Sequence, residues 1–210
     1  MTASLVVLGL ANAVPIVGVL FLGWKVFPLL LLYWLENVVV GGFNVLKMAL
    51  ARPQDAAANL GKVFIIPFFI VHFGLFTFVH GVLMFSLFGP KETQGFDLVG
   101  HVLPAVRTYQ LGWAVFALVA SHGLSFYWNY LKNGEYRRAS LQQLMHQPYG
   151  RVVILHLTVL FGGWIVLLLG SETLPLVLLV ILKTAADVRA HRAERVKFGG
   201  GGLAPAESSA

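Results

Sequence analysis

The sequence predicts an all-α fold, a polytopic membrane bundle of six transmembrane helices with both termini cytoplasmic. Three observations lead there. Of 210 residues, 58% are hydrophobic and 11% charged, where a soluble domain carries about 25% charged residues. Six apolar runs (4–24, 27–50, 62–89, 110–131, 151–170 and 172–194) reach the roughly 20 residues a helix needs to cross about 30 Å of hydrocarbon. If these spans alternate in direction, twelve of the 15 Lys and Arg fall on one side, leaving only Lys25, Lys91 and Arg107 on the other. The basic side is cytoplasmic, and an even number of spans returns both ends to it. This composition excludes a water-soluble enzyme, a disordered chain and a disulfide-rich secreted domain. With no cysteine in the chain, thiolate metal sites are excluded as well. The net charge of +6 reads as orientation charge and implies no nucleic acid. The partner it implies is the lipid bilayer, with a homo-oligomer or a larger membrane complex left open.

The first run, 4–24, has a soft break at Pro15. Ala11-Asn12-Ala13 faintly resembles a signal-peptide cleavage site, but no Lys or Arg precedes the apolar stretch, so the run is read as a membrane helix. A short turn with Trp24-Lys25 leads into 27–50. Residues 51–61 form a small polar loop. Residues 90–109 form a longer one, in which 96–106 read as a short surface helix, a candidate lid that includes His101. Residues 132–150 form a basic loop, and 140–147, with His146, read as an amphipathic helix on the cytoplasmic face. A tight turn at Ser171-Glu172 precedes the last run. Residues 199–210, opened by four glycines, read as a disordered tail. Residues 1–198 then make a single six-helix domain. Helices are expected because a backbone in lipid must satisfy its own hydrogen bonds, and the runs lack the alternation of barrel strands. No internal repeat is visible.

Ionisable side chains within membrane helices are costly and usually face the bundle interior at a site or pathway. Counting about 1.5 Å of rise per residue from the expected ends sorts them into two layers. An outer set comprises Glu36, His80 and His122, one each from three helices, with Asn37 beside Glu36. An inner set comprises His72, His156 and Asp187, with Asn44 and Asn129 nearby and Lys183 as counter-charge. Lys183, Asp187 and His191 follow one another at the four-residue spacing that shares a helical stripe, and the first two can pair. On one helix, His72 and His80 lie about 12 Å apart along the axis with Phe76 between them, so each belongs to a separate layer. Asn37 and Asn44 share a face. Gly41-Gly42, Gly74, Gly81, Gly123 and Gly162-Gly163 permit close helix approach.

Each of these residues also has a structural reading. The histidines and Glu36 can simply fix helix packing, although an interhelical hydrogen bond contributes only about 0.6 kcal/mol on average in a membrane, against about 2.5–3.5 kcal/mol to insert a central charge. Lys183 can snorkel to the headgroups. Asn44 and Asn129 read as helix glue. Phe126-Tyr127-Trp128 and Tyr130 read as an interfacial belt. Arg137-Arg138 read as orientation charges or lipid contacts. The chain has no Walker A, G-x-S-x-G or HExxH sequence and no dinucleotide-binding glycine pattern.

Several blocks carry a family resemblance: Tyr33-Trp34-Leu35-Glu36-Asn37, Phe43-Asn44-Val45-Leu46-Lys47-Met48, His72-Phe73-Gly74 with His80-Gly81, Pro148-Tyr149-Gly150-Arg151 with His156, and Leu182-Lys183-Thr184 with Asp187. Over residues 27–191 the chain resembles a family of bacterial multi-pass membrane proteins known only as a domain of unknown function. The resemblance implies a location in the bacterial cytoplasmic (inner) membrane and implies no activity. The function expected from the residues is an intramembrane His/carboxylate site that binds a transition metal (zinc or iron) or haem, or relays protons. In it, His80, His122 and Glu36 are the outer ligands, His72, His156 and Asp187 the inner ones, and Glu36, Lys183 and Asp187 the relay groups. A proton-coupled small-solute transporter and a non-catalytic structural or assembly subunit are the alternatives. Whether the chain is an enzyme is left open.

Overall fold

The computed structural model describes residues 25–52, 56–93, 95–169 and 181. The expected spans 4–24 and 172–194, the tail 199–210 and the candidates Lys183, Asp187 and His191 lie outside the described residues. What is described is helical throughout: α1 (Val26–Leu50), α2 (Ala56–Phe88), α3 (Leu98–Thr108), α4 (Gly112–Ser125, continued by a π-helical stretch Phe126–Lys132), α5 (Leu141–His146) and α6 (Tyr149–Leu169). These elements fall where the runs 27–50, 62–89, 110–131 and 151–170 are expected. Two helices, Val26–Leu50 and Asn59–Phe88, are long and apolar enough to cross a membrane. Counting α3 with α4 as one broken span makes three, but that pair is bent by 107°. The bend agrees with a separate lateral helix at 96–106, capped at its start by Asp97, whose carboxylate accepts from the Gly100 amide at 2.9 Å.

Helix α1 is the centre of the bundle. It runs antiparallel to α2, with the Trp34 indole donating to the Thr77 carbonyl at 2.8 Å and the Phe73 ring lying against Gly41. It runs parallel to α4, where Phe43 meets Phe126 and the Tyr130 hydroxyl donates to the Lys47 carbonyl at 2.6 Å. Helix α6 runs parallel to α2, matching His72 with Tyr149 and His80 with His156. Two apolar clusters hold the bundle. One, around Phe27, Leu30, Trp34, Phe85 and Leu155, packs the end where α1 begins. The other, around Met48, Phe69, Phe73, Tyr130 and Leu144, packs the end where α1 stops. Much of α2 turns large apolar side chains away from the other described helices, among them Phe64 and Val71 at 78% and 68% exposed.

One expectation is corrected here. Tyr130 is not part of a belt: it is 1% exposed, and only its neighbours Tyr127 and Trp128 face outward. The π-helical stretch turns Tyr130 inward, over the end of α1, where its hydroxyl finds a carbonyl. The segment 140–147 is amphipathic as expected, with Gln142, Gln143 and His146 exposed. Leu141 and Leu144 of α5 are buried against α1 and α2, and the Asn44 amide donates to the Leu144 carbonyl at 2.7 Å. The chain after α4 thus folds back beside the bundle, and α6 starts level with His72, already partway along α2.

Candidate functional site: a histidine pair and an arginine-centred ion cluster

At the level of Trp34, α2 and α6 each contribute one imidazole. His80 Nε2 lies 2.6 Å from His156 Nδ1, and the rings meet edge to face with centroids 4.8 Å apart. His80 is 2% exposed. Its other nitrogen, Nδ1, sits 2.5 Å from the Phe76 carbonyl one turn back. A carbonyl only accepts, so His80 Nδ1 bears a proton, and a neutral His80 has its lone pair on Nε2. His156 Nδ1 is then the donor across the pair, and a neutral His156 keeps its lone pair on Nε2. The result is a directional chain of hydrogen bonds from His156 through His80 to the Phe76 carbonyl. Gly81, next to His80, lets α2 lie close to α1 and α3: a Cβ there would lie 2.7 Å from Leu98 and 2.9 Å from Trp34.

A second cluster is built around Arg151, near the start of α6. Arg151 Nη1 donates to Glu36 Oε1 of α1 at 2.5 Å, and His122 Nε2 of α4 lies 3.7 Å from the same oxygen. Glu36 is the most enclosed of the three, its side chain 16% exposed against 27% for His122 and 40% for Arg151.

Two further polar side chains are buried, Asn37 on α1 and Thr77 on α2. Asn37 is 2% exposed and donates to the Tyr33 carbonyl at 3.1 Å. Its Oδ1, and the Oγ1 of Thr77 opposite it on α2, have no hydrogen-bond partner among the described residues. Further along α2, His72 Nδ1 lies 2.8 Å from the Tyr149 hydroxyl, and Phe76 packs between the two histidines of that helix, 5.0 Å from one ring and 6.2 Å from the other.

The two layers drawn from sequence are therefore regrouped. Glu36 and His122 come together as expected, but their third partner is Arg151 and not His80. His80 pairs with His156, which the depth count puts beside His72. The reason is the fold-back before α6, which raises the start of that helix and lifts His156 by about two turns relative to α2. Asp187 lies outside the described residues. Among the described residues, no group of three or more His, Asp and Glu is placed to hold a metal ion. Sequence reading missed Arg151 and Tyr149 as site residues and counted Arg151 only as an orientation charge. The available signal was their place in the Pro148-Tyr149-Gly150-Arg151 block.

A family model covers residues 1–199, nearly the whole chain, and it spans every block on which the resemblance rests. The chain belongs to the family of unknown function DUF6498. DUF6498 membership agrees with the resemblance seen in the sequence and supplies no reaction. No curated protein and no solved structure shows a significant match to this DUF6498 chain.

Proposed function

We propose that this DUF6498 protein is a six-span protein of the bacterial cytoplasmic membrane, with both ends on the basic, cytoplasmic side, and that it binds and relays protons through His80 and His156. The observation that carries this reading is the 2.6 Å contact between His80 Nε2 and His156 Nδ1, anchored by the Phe76 carbonyl. A proton arriving at His156 Nε2 lets the proton on Nδ1 cross to His80 Nε2; because the Phe76 carbonyl cannot take up a proton, the His80 Nδ1 proton leaves only when that hydrogen bond breaks and the ring turns, and this completes the transfer. The pair accepts one extra proton and not two, because two imidazolium rings would point N–H at N–H. Glu36, between Arg151 and His122, is the carboxylate we assign to exchange protons with the pair.

A metal fits this arrangement less well. In the neutral pair only His156 Nε2 keeps a free lone pair, whereas zinc takes three or four protein ligands. Metal or haem binding would require the pair to open.

The test is proton flux in liposomes carrying the purified protein, driven by an imposed potential and read with an enclosed pH dye. Flux above that of empty liposomes is expected, falling at least tenfold in His156→Phe and His80→Phe and several-fold in Glu36→Gln. Wild-type flux equal to that of empty liposomes would overturn the proposal. So would stoichiometric zinc, iron or haem that His156→Ala removes.

A further inference from the structure

We propose that the pocket between α1, α4 and the start of α6 binds a phosphate ester, either the headgroup of an anionic phospholipid or a small water-soluble phosphate. The site is separate from the histidine pair and does not rest on the relay. The cavity holds about 170 Å³, and Lys47, His122 and Arg151 reach it from three different helices. No carboxylate lines it. Glu36 offsets part of the charge from behind, through Arg151 Nη1, and leaves the remaining N–H groups of the guanidinium fork free to bond. Lys47, Arg151 and the His122 imidazole line the cavity while Glu36 engages only Arg151 and His122, which leaves an excess of positive charge that an entering anion offsets.

Size and lining narrow the ligand. At about 30 Å³ per water, the cavity has room for five or six waters, enough for a tetrahedral oxyanion and its first substituent. Drug-sized ligands need roughly 300–1,000 Å³, so the pocket encloses a small phosphate more completely than a nucleotide. The arginine fork matches phosphate oxygens in a paired fashion, with lysine acting as a point charge beside it. Ser125 lines the same space, and its oxygen already accepts from Asn129 at 3.2 Å, so its own hydrogen is free to donate. On the opposite wall, the Phe43 and Phe126 rings, 5.7 Å apart, offer an apolar surface to the carbon side of an ester. The pocket also lies toward the end of α1 that carries Lys47 in its last turn, the side where the sequence concentrates positive charge.

The experiment uses the full-length protein in nanodiscs and reads thermal stabilisation and native mass spectra. In one arm the discs are phosphatidylcholine, and glycerol 3-phosphate or inorganic phosphate is titrated in. In the other, phosphatidylglycerol replaces part of the phosphatidylcholine. Saturable binding in either arm is expected, and the arm that responds names the source. Lys47→Gln should weaken binding about fivefold, and Ser125→Leu, which fills the space without altering charge, should weaken it further. His156→Phe should bind as the wild type does, which separates this outcome from that of the relay. Absence of saturable binding in both arms, or wild-type binding in both Lys47→Gln and Ser125→Leu, would overturn the proposal.

Discussion

Asn44 and Leu144 are 100 residues apart in sequence, and the amide of one donates to the carbonyl of the other at 2.7 Å. Leu144 lies in the last turn of α5, where carbonyls have no partner within the helix. Asn44, reaching across from α1, therefore caps a helix of only six residues and fixes where the chain turns back into the bundle. Asn44→Ala should lower the stability of the detergent-purified protein by about 1–2 kcal/mol, measured as a drop in Tm. Asn44→Asp should do no better, because a carboxylate would face the carbonyl with no hydrogen to share.

Glycine positions divide sharply. A Cβ at Gly81 would press on Leu98 and Trp34, whereas one at Gly42 or Gly74 would meet nothing within 4 Å. Gly81→Ala is expected to cost about 1–3 kcal/mol through overpacking and to disturb the neighbouring His80. Gly42→Ala and Gly74→Ala should leave Tm unchanged or slightly raised, since alanine is the better helix former. Equal Tm values for all three variants would contradict this packing.

Glu36 and Arg151 form a charge-assisted hydrogen bond between helices 115 residues apart in sequence. Either Glu36→Gln or Arg151→Gln alone should cost about 1.5–3 kcal/mol, moderated because the Arg151 side chain is 40% exposed and partly screened. The double variant should cost less than the sum of the two, with a coupling of at least about 0.5 kcal/mol. A double-mutant cycle on thermal or denaturant unfolding measures it directly.

Topology can be read without removing any native thiol, because the chain contains no cysteine. Single cysteines placed at Ser140 and at Thr93 should be labelled by a membrane-impermeant maleimide from opposite faces. Ser140 should share its face with the C-terminal segment. Labelling of both from one face would exclude the six-span arrangement.

Much of the helical frame was legible in the sequence, and for a simple reason. Apolar runs such as 27–50 and 62–89 record the solvent they meet, and hydrocarbon permits little besides helix. Burial of Asn37 and Asn44 on one face of α1 also follows from their seven-residue spacing. Depth was less legible. Counting residues from span ends treats every helix as starting at the same plane, and the fold-back through Leu141 and Leu144 breaks that assumption for α6. His156 was displaced for that reason, and Arg151 was hidden for a related one: a long cationic side chain near a span end looks like an orientation charge, and only its neighbours show that it reaches inward to Glu36. Tyr130 was misplaced because π-helical geometry shifts which residues share a face, and a composition rule for aromatic residues carries no information about that shift.

The raised start of α6 gives the imidazole pair two unlike flanks. His156 follows Tyr149 by seven residues, about 10 Å of rise, with Tyr149, His72 and the Arg151 cluster near that path. On the other flank, the buried rings of Phe27, Phe85 and Phe88 form a dry plug. The imidazole pair thus has polar and aromatic hydroxyl neighbours toward one end and a closely packed apolar cluster toward the other, so any group reaching it meets unlike surroundings from the two sides.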